Sequence, residues 1–531
     1  MRPSPGTLWS LLLGLATVGS QASDSLTVTA STGIYTGLIE PAFPNVRAFR
    51  NIPFAEPPVG KLRWKPPVAL PASRRRHYSY RYPANCPQYL PTTLSLWSTN
   101  LTDYGIDTDG QSRYAGTVAQ TSAEDCLGLA IWTPLGAAAS SSSAGASGKS
   151  LLPVAFFIHG GAFVQGGVDS PYLKPQQWVS RSQQHIVVSV NWRVNIFGFP
   201  NAAGLSEQNL GFLDARLALE WVYANIAAFG GDPARITLWG QSAGAVAADI
   251  LGFAYPDDPL ASALFLQSGN ALRQFPRGDN ALQTNFTFVA RSLGCDFPAD
   301  QSDAELECMQ QVPANLISNF VGQYGDNGTE PALLFRPTVD ERTVFANYTT
   351  QAKAGKIARI PALLSTTANE DASLTTYPAG DLVAGPDQAT TNRLTLFQFV
   401  CPAFYGKNVR VYNNLTTYRY QYAGNFSNVS PYQWLGAYHA SDIPPVFGTY
   451  DLHGGSTELE ARVSQRMQDY VLAFLKDAEN GLERLGWAPD NLVLKGTMKR
   501  FAAGGVVEKT IQSAAVDGAC TGAVAYDWKP S

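Results

Sequence analysis

The sequence is poor in charge. Only 15% of its 531 residues are charged, and 38 basic against 42 acidic side chains leave a formal net charge of −4. This balance gives no electrostatic reason to bind nucleic acid or an anionic membrane surface. Because 45% of the residues are hydrophobic, the low charge also excludes a disordered or tail-like chain. The composition therefore predicts a large globular protein without a nucleic-acid partner.

Long apolar segments are missing as well. The apolar run at residues 8–18 has 11 residues, and at about 1.5 Å each these are too short to cross a hydrocarbon core of roughly 30 Å. Arg2 precedes the run, and Ser20-Gln21-Ala22 places small residues at both positions that a signal peptidase reads. We therefore expect residues 1–22 to be a signal peptide rather than a buried N-terminal helix. No later stretch approaches 18 uninterrupted apolar residues, so we expect a secreted, extracellular protein without a membrane anchor.

Cysteine is scarce, and no pair has the CxxC spacing that would support a zinc site or a thioredoxin-type redox site. The six cysteines are Cys86, Cys126, Cys295, Cys308, Cys401 and Cys520. An even number agrees with disulfide bonds in an extracellular protein. The spacing alone does not fix the connectivity, although nearest-in-sequence pairing is the simplest choice.

Sequons for N-glycosylation are numerous. The seven N-x-[ST] sites are Asn100, Asn285, Asn327, Asn347, Asn414, Asn425 and Asn428. A single sequon is weak evidence, but this number agrees with a glycosylated surface and a secreted protein.

The order of the apolar patterns predicts an α/β fold. Short strand patterns at residues 26–30, 33–38 and 46–49 come first and predict a small N-terminal antiparallel hairpin region. From residue 150, apolar runs have the length and composition of strands that a parallel sheet buries on both faces. These runs are residues 154–158, 186–190, 236–239, 264–266 and 360–364.

Helical patterns alternate with these strands. At residues 211–229 the apolar positions share one face, with Asp214 and Arg216 expected mostly outside. A later pattern over residues 459–474 is preceded by Thr457 and Glu460, which are placed as a capping box. The alternation predicts one doubly wound α/β unit, so we expect residues 23–531 to form a single domain.

The strongest chemical motif is Gly240-Gln241-Ser242-Ala243-Gly244, between a predicted strand and a predicted helix. A nucleophilic serine at the tip of such a sharp turn has strained backbone angles, and bulky neighbours two residues away on either side would clash. The turn also directs a helix N-terminus at the site, where backbone N–H groups favour developing negative charge. The motif predicts Ser242 as a nucleophile.

A glycine-rich turn, His159-Gly160-Gly161-Ala162-Phe163, follows the predicted strand at residues 154–158. Such a turn presents backbone N–H groups to the oxyanion of a tetrahedral intermediate, and losing one such donor typically costs about 3 kcal/mol of barrier. An isolated glycine turn would be an ordinary connection. In a chain that also contains the serine motif, it predicts an oxyanion hole.

Histidine is rare, so candidates for the general base are few. The five are His77, His159, His185, His439 and His453. Triads built on such a serine turn follow the chain order serine, acid, histidine. Only His439 and His453 satisfy that order, and we expect His159 to be structural.

The acid of the triad should lie between Ser242 and the histidine, just after a strand. Glu370 and Asp371 follow the predicted strand at residues 360–364 and meet both conditions. Either carboxylate would hold the imidazole tautomer and stabilise the imidazolium. The residues alone leave both open.

These motifs occur together with further stretches that are typical of one family. The stretches are residues 49–55, 57–60, 62–64, 124–127, 191–193, 225–233 and 267–269. The chain resembles the type B carboxylesterase/lipase family, which includes cholinesterases and fungal lipases, and it is most similar to secreted fungal members. The similarity covers nearly all of the chain after residue 22. It implies an α/β-hydrolase fold, with a large, mostly parallel central sheet flanked by helices.

The resemblance also assigns roles to residues. It implies a triad of Ser242, Glu370 and His439, and oxyanion donors at the backbone N–H groups of Gly161, Ala162 and Ala243. The disulfides that it implies are Cys86–Cys126, Cys295–Cys308 and Cys401–Cys520, and the ion pairs are Arg63–Glu124 and Arg193–Asp214. No metal or organic cofactor is expected.

Two residues depart from the family pattern. Asp371 follows the acid where the family usually has glycine, so Asp371 remains an alternative triad acid. Gln241 precedes the serine where cholinesterases have glutamate. A cationic choline ester would lack that carboxylate, and we therefore do not expect cholinesterase activity.

The function that we predict is hydrolysis of carboxylic esters, with a small-molecule or lipid ester as substrate. One alternative is a lipase for longer-chain acylglycerols, in which residues 86–126 form a lid. The apolar residues of that segment would otherwise pack as core; they are Tyr89, Leu90, Leu94, Leu96, Trp97 and Leu101. A more remote alternative is a non-catalytic adhesion protein on the same fold.

Overall fold

A computed structural model of the chain describes residues 26–92, 95–106, 117–118, 122–137, 150–273, 284–375, 383–492 and 495–531. The predicted signal peptide, residues 1–22, lies outside the described residues. The strands and helices below are those of the described part.

The strands are numbered β1 to β16 in chain order. They span Thr27–Ala30, Gly33–Thr36, Leu38–Ile39, Val46–Pro53, Arg76–Tyr78, Tyr89–Leu90, Thr117–Val118, Gly128–Pro134, Leu152–Ile158, Ile186–Val190, Gly231–Gln241, Ala263–Gln267, Ala362–Thr367, Thr417–Tyr422, Thr497–Phe501 and Glu508–Gln512.

The α-helices are numbered α1 to α14. They span Leu96–Thr99, Gln176–Ser182, Asn195–Gly198, Leu210–Asn225, Ala243–Ala254, Thr284–Ser292, Ser302–Met309, Ala314–Asp326, Tyr348–Lys353, Gln388–Thr395, Cys401–Tyr412, Ile443–Phe447, Glu458–Lys476 and Ala514–Asp517. A π-helix, Leu396–Val400, joins α10 to α11. Short 3₁₀ turns are Gly60–Leu62, Thr102–Tyr104, Pro171–Leu173, Ile226–Phe229, Ala299–Gln301, Glu370–Ser373, Gln433–Leu435, Glu483–Leu485, Ala503–Gly505 and Gly518–Thr521. None of the helices in the described part has the length and apolar character that a membrane crossing requires.

One large mixed sheet forms the centre of the protein. Its eleven strands are ordered β16-β15-β14-β13-β12-β11-β9-β10-β8-β4-β3. All neighbours from β10 through β15 run parallel, whereas the outer pairs at both edges are antiparallel. The predicted large, mostly parallel sheet is confirmed. Its central parallel part is where the serine motif at the end of β11 is located.

Helices cover both faces of this sheet, which explains why its central strands are apolar throughout. Successive side chains of β9 point to opposite faces. Phe156 packs in one apolar cluster with Leu219 of α4, and Phe157 packs in a second with Phe447 of α12. The rings of Phe157 and Phe447 lie 5.1 Å apart. The site-bearing strand ends are therefore fixed between two packed layers.

The N-terminal region is more divided than predicted. The hairpin β1–β2 forms, but β5 pairs parallel to β2 and makes a separate three-stranded sheet. The pattern at residues 33–38 splits into β2 and β3, and β3 joins the large sheet. Gly37 lies between them, and a Cβ there would come 2.7 Å from the Ala48 carbonyl oxygen. Glycine at this position lets the chain pass close to β4.

The predicted burial of the helix at residues 211–229 is wrong. It is α4 followed by a 3₁₀ turn, and Asp214 is completely buried, not mostly outside. The reason is a bidentate ion pair with Arg193, whose N–O distances are 2.7 and 2.8 Å. A buried charge is stable when it is paired in this way. Hydrophobic periodicity does not reveal such a pair.

Helix α13 begins as predicted, although only half of the expected capping box forms. The Glu460 N–H donates to Thr457 Oγ1 at 3.1 Å. The second bond of the box, in which the Thr457 N–H would donate to the Glu460 carboxylate, is not formed between these two described residues. The Glu460 side chain is instead completely buried in the protein interior.

The three implied disulfides are all present. Cys86–Cys126, Cys295–Cys308 and Cys401–Cys520 have S–S distances of 1.98, 2.00 and 2.08 Å. The implied pair of Arg63 and Glu124 also forms, with two N–O contacts of 2.5 and 2.7 Å. The disulfides and this ion pair link segments of the chain that are distant in sequence.

Candidate active site

Ser242 lies between the end of β11 and the start of α5. Its φ of 55° and ψ of −123° are unfavourable for a residue with a side chain. The turn is held in place because the Ser242 N–H donates to the Gln267 carbonyl oxygen of β12 at 2.8 Å. This strand–turn–helix arrangement is the strained one that places a serine hydroxyl at the tip of a turn.

The two glycines of the serine motif are required by close backbone contacts. A Cβ at Gly240 would lie 2.2 Å from the Gly244 carbonyl carbon, and a Cβ at Gly244 would lie 2.0 Å from the Ile158 carbonyl oxygen. Real Cβ atoms do not approach other atoms this closely. The turn can therefore form against β9 only without side chains at these positions.

The glycine-rich turn after β9 packs directly against Ser242. A Cβ at Gly160 would lie 3.1 Å from the Ser242 Cβ. Gly161 and Ala162 both adopt positive φ, 108° and 56°. Among the described residues, their N–H groups donate to no protein acceptor. Ala243 is the first residue of α5, and its N–H is one of the donors that a helix N-terminus leaves without an intrahelical partner.

His439 and Glu370 form a buried pair. The imidazole Nδ1 lies 2.6 Å from Glu370 Oε2, and Glu370 is completely buried. The other carboxylate oxygen accepts from the Thr367 N–H at 2.8 Å. The His439 N–H also donates to the Glu370 carbonyl oxygen at 3.2 Å. These bonds hold the imidazole in the tautomer that leaves Nε2 able to accept a proton.

The other ring nitrogen of His439 faces the serine motif. His439 Nε2 lies 3.2 Å from Gln241 Nε2, and Gln241 is the residue before Ser242. Among the described residues, no hydrogen bond joins Ser242 Oγ to this imidazole. Catalytic hydrogen bonds are often long or misaligned before substrate binds. The geometry thus places the imidazole against the serine motif, with its Nε2 in contact with the amide of Gln241.

The remaining histidines lie in other environments. His453 is exposed, and its Nε2 contacts Asp103 Oδ2 at 2.7 Å. His159 is buried with Nδ1 2.8 Å from the Gly160 carbonyl oxygen, and burial lowers its pKa to about 4. Burial likewise lowers the pKa of His185 to about 3. Of the two candidates that satisfy the chain order, His439 is the one that contacts the serine motif, through Gln241.

Asp371 lies next to Glu370 but does not contact the imidazole. Its Oδ1 accepts from Gln398 Nε2 at 3.1 Å, and its N–H donates to Thr395 Oγ1 at 3.0 Å. Burial and the neighbouring Glu370 raise the pKa of Asp371 to about 7. Glu370 rather than Asp371 therefore occupies the position beside His439.

Two aromatic rings near His439 were not predicted as site residues from the sequence. The Phe399 ring centroid lies 4.7 Å from the imidazole, and the Trp97 centroid lies 6.5 Å from it. Phe399 is on the π-helix, and π-helical turns occur often at functional sites. No local motif marks either residue, because their proximity to His439 depends on tertiary packing.

The described part of segment 86–126 packs against the base side of the site. Leu96 and Leu101 are buried in a cluster with Leu435 and Tyr438, the residue before His439. Trp97 Nε1 donates to the Ser373 carbonyl oxygen at 3.1 Å. Leu94 lies outside the described residues. Of the apolar residues named in this segment, Leu96 and Leu101 pack in the core.

The fold and the site together place the protein among the α/β hydrolases. A model of the carboxylesterase family matches residues 24–394. The chain is 40% identical over 499 residues to secreted lipase 5 of Gibberella zeae, with 90% of each chain covered. It is also 40% identical over 463 residues to the chlorogenic acid esterase of Aspergillus niger, covering 87% of this chain and 85% of that one.

A more distant relative is the cholinesterase of Mus musculus, 28% identical over 405 residues that cover 73% of this chain and 60% of the cholinesterase. The chain therefore belongs to the carboxylesterase family and is an ester hydrolase. The predicted family and fold class are confirmed.

Proposed function

We propose that the protein hydrolyses carboxylic esters through an acyl-enzyme, with Ser242 as nucleophile, His439 as general base and Glu370 as the acid that orients it. The observation that carries the proposal is the buried His439–Glu370 pair, at 2.6 Å, whose imidazole lies beside the Ser242 turn. A nucleophile, a base and a residue that orients the base are the three groups that acyl transfer requires.

In the first step Ser242 Oγ attacks the ester carbonyl carbon while His439 Nε2 accepts the hydroxyl proton. For this the imidazole must exchange its contact with Gln241 for one with Ser242 Oγ. The carbonyl oxygen becomes an oxyanion, which the N–H groups of Gly161, Ala162 and Ala243 would bind. When the tetrahedral intermediate collapses, the C–O bond to the alcohol breaks and His439 returns the proton to the alcohol.

In the second step water replaces the alcohol. His439 accepts a proton from water, whose oxygen attacks the acyl carbon, and the ester bond to Ser242 Oγ breaks. The proton returns to Ser242, and the carboxylic acid leaves. Glu370 stabilises the imidazolium in both steps and does not accept its proton.

The test uses a fluorophosphonate probe and a chromogenic short-chain ester. The wild-type protein should be labelled at residue 242 and should hydrolyse the ester, whereas Ser242→Ala should do neither and keep its thermal denaturation midpoint. Ser262→Ala is the matched control, because its hydroxyl donates to the Ile236 carbonyl oxygen and has no role in the proposed triad. Full hydrolysis by Ser242→Ala would refute the assignment. Absence of both labelling and hydrolysis in the wild type would revive a non-catalytic adhesion protein.

The substrate class is a second part of the proposal. We favour a dissolved ester over an acylglycerol at an interface, because Leu96 and Leu101 of segment 86–126 are packed as core. The relatives include one named a lipase and one named an esterase. Rates on esters of increasing acyl length should saturate smoothly. A jump in rate where the substrate exceeds its solubility would identify a lipase instead.

Secretion is proposed on the signal-peptide pattern of residues 1–22, three disulfides and exposed sequons. The asparagines of four sequons are exposed, namely Asn100, Asn327, Asn347 and Asn414. Expression in a fungal host should yield a protein in the medium that begins near residue 23 and loses mass with an endoglycosidase. An intracellular, full-length product would contradict the proposal.

A further inference from the structure

Asp371 is a buried carboxyl group that directly follows Glu370 in the sequence. It is 1% exposed, and the 3₁₀ turn that contains it also contains Glu370. Its Oδ1 accepts from Gln398, and Oδ2 has no hydrogen-bond partner among the described residues. A buried carboxyl group is unfavourable unless bonds or charges compensate it, so its surroundings indicate what it does.

A chain of hydrogen bonds leads from Asp371 to a buried arginine. Gln398 Nε2 donates to Asp371 Oδ1 at 3.1 Å, and an Arg273 guanidinium nitrogen donates to Gln398 Oε1 at 3.0 Å. The Arg273 guanidinium carbon also lies 4.2 Å from the centroid of the Phe399 ring. The same ring also lies against the imidazole of His439, at 4.7 Å between centroids. Asp371, Gln398, Arg273 and Phe399 thus form one connected group behind His439.

The π-helix explains how one short segment makes these contacts. Gln398 and Phe399 are consecutive residues of Leu396–Val400, so one side chain bonds to Asp371 while the next packs on the imidazole. Thr395, the last residue of α10, accepts from the Asp371 N–H. The turn that contains Glu370 and Asp371 is therefore tied to the segment that contacts His439 by two hydrogen bonds.

We propose that Asp371 is a positioning residue for His439: with Gln398 and Arg273 it holds the Phe399 ring against the imidazole, and its carboxylate adds negative charge behind Glu370. The proposal rests on the proposed function, because it assigns Asp371 to the same catalytic histidine. Asp371 touches neither substrate nor the reacting atoms in this role.

The charge has a consequence for pH dependence. The charged groups facing Asp371 are Glu370 on its own turn and Arg273 on the loop after β12, and beyond Glu370 lie His439 and Asp442. Burial and Glu370 raise the pKa of Asp371 to about 7, and Arg273 lowers it. The carboxyl therefore ionises in the range where an imidazole takes up a proton. A carboxylate near an imidazolium favours the protonated base, so removing it should let the base stay neutral at lower pH.

Three variants separate the two parts of the proposal. Asp371→Asn keeps an acceptor for Gln398 and removes the charge, so the acidic limb of kcat/KM should move to lower pH by roughly half a unit, with kcat within about threefold of wild type. Gln398→Met keeps the charge and breaks the chain, so kcat should fall about tenfold with KM and the limb unchanged. Asp371→Gly removes both and should show both effects.

The control is Asp490→Asn, another buried carboxyl group, paired with Arg419 and Lys407. It should lower the thermal midpoint without changing kcat or the acidic limb. Wild-type kcat and limb in Asp371→Gly would overturn the inference, as would an unmoved limb in Asp371→Asn. If the glycine variant does not fold, the Asn and Met variants still decide. Failure of the proposed function itself would appear separately, as a wild-type protein that is neither labelled nor active.

Discussion

The two halves of the site are held by different forces. On the nucleophile side, Ser242 and the turn at Gly160 are fixed by backbone contacts so close that glycine is required. On the base side, His439 is fixed by side chains, namely a buried carboxylate at 2.6 Å and an aromatic ring at 4.7 Å. The geometry of the nucleophile side therefore requires glycines, which have no Cβ atom. The geometry of the base side requires a particular carboxylate and a particular aromatic ring.

This difference predicts how each half fails. Atoms added on the nucleophile side have no space to occupy, so the backbone must move and the fold with it. Exchanging polar groups on the base side leaves the shape intact but changes charge and hydrogen bonding, so catalysis should suffer before stability does. Substitutions on each side of the site can therefore distinguish the two kinds of constraint.

Gly244→Ala should have the largest effect. The added Cβ would lie 2.0 Å from the Ile158 carbonyl oxygen, so α5 would have to move away from β9 and carry Ser242 with it. We expect little folded protein and no labelling by a fluorophosphonate. Gly252→Ala on the same helix is the matched control, because its Cβ would lie 3.6 Å from a Leu264 methyl group. It should fold and gain up to about 1 kcal/mol of stability.

Normal labelling and thermal stability of Gly244→Ala would show that close backbone contact does not fix the nucleophile side.

Glu370→Gln should have the next largest effect, and on rate alone. The amide can fill the same space, but it does not stabilise an imidazolium and can favour the wrong tautomer of His439. Loss of the carboxylate in such a triad lowers kcat by roughly 10⁴-fold. Steady-state kinetics should show that loss with an unchanged circular dichroism spectrum. A kcat within tenfold of wild type would indicate that another group, such as Asp371, orients the imidazole.

The same contrast explains what the sequence could predict. The serine motif, the glycine-rich turn and the central strands depend on local sterics and local hydrophobicity, which appear as short patterns. The base side does not, because Glu370 and His439 are 69 residues apart in sequence. From the residues alone, Asp371 remained an alternative to Glu370, and His453 an alternative to His439. The family resemblance was what favoured Glu370 and His439.

Other features left no local signal at all. Phe399 lies on the π-helix that joins α10 to α11 and contacts His439, which is distant in sequence. Hydrophobic periodicity wrongly assigned Asp214 to the exposed face of its helix. Asp214 is buried because it forms an ion pair with Arg193, 21 residues earlier. Hydrophobicity patterns therefore do not predict which polar groups pair in the tertiary structure.

Gln241→Glu tests the boundary between the two halves and should have a moderate effect. The amide nitrogen lies 3.2 Å from His439 Nε2, so a carboxylate there would stabilise the protonated imidazole. The acidic limb of kcat/KM should move to higher pH by roughly one unit, a loss of about tenfold on that limb. Gln241→Met is the neutral control of similar size and should leave the limb in place. An unmoved limb in the Glu variant would mean that Gln241 does not face the base during turnover.

Glu460→Gln should have the smallest effect, and only on thermal stability. It tests how much the buried charge of Glu460 destabilises the base side. Helix α13 packs against α12, which follows His439. Burial raises the pKa of Glu460 to about 7, although Asn428 and the Thr457 turn lower it, and Asp451 raises it further. The folded protein therefore binds this proton more tightly than the unfolded chain, whose glutamates titrate near pH 4.3. Stability from the neutral form is present below about pH 4 and is lost as pH rises toward 7.

At pH 4 the variant and the wild type should unfold at nearly the same temperature, since Glu460 is then mostly neutral in both the folded protein and the unfolded chain. At pH 8 the wild type carries a buried charge, so the variant should melt a few degrees higher. Glu458→Gln, exposed in the same first turn, removes the same charge from the helix N-terminus and controls for the helix dipole. It should melt at or below the wild-type temperature at both pH values. Equal melting temperatures of all three proteins at pH 8 would mean that the base side accommodates this charge without cost.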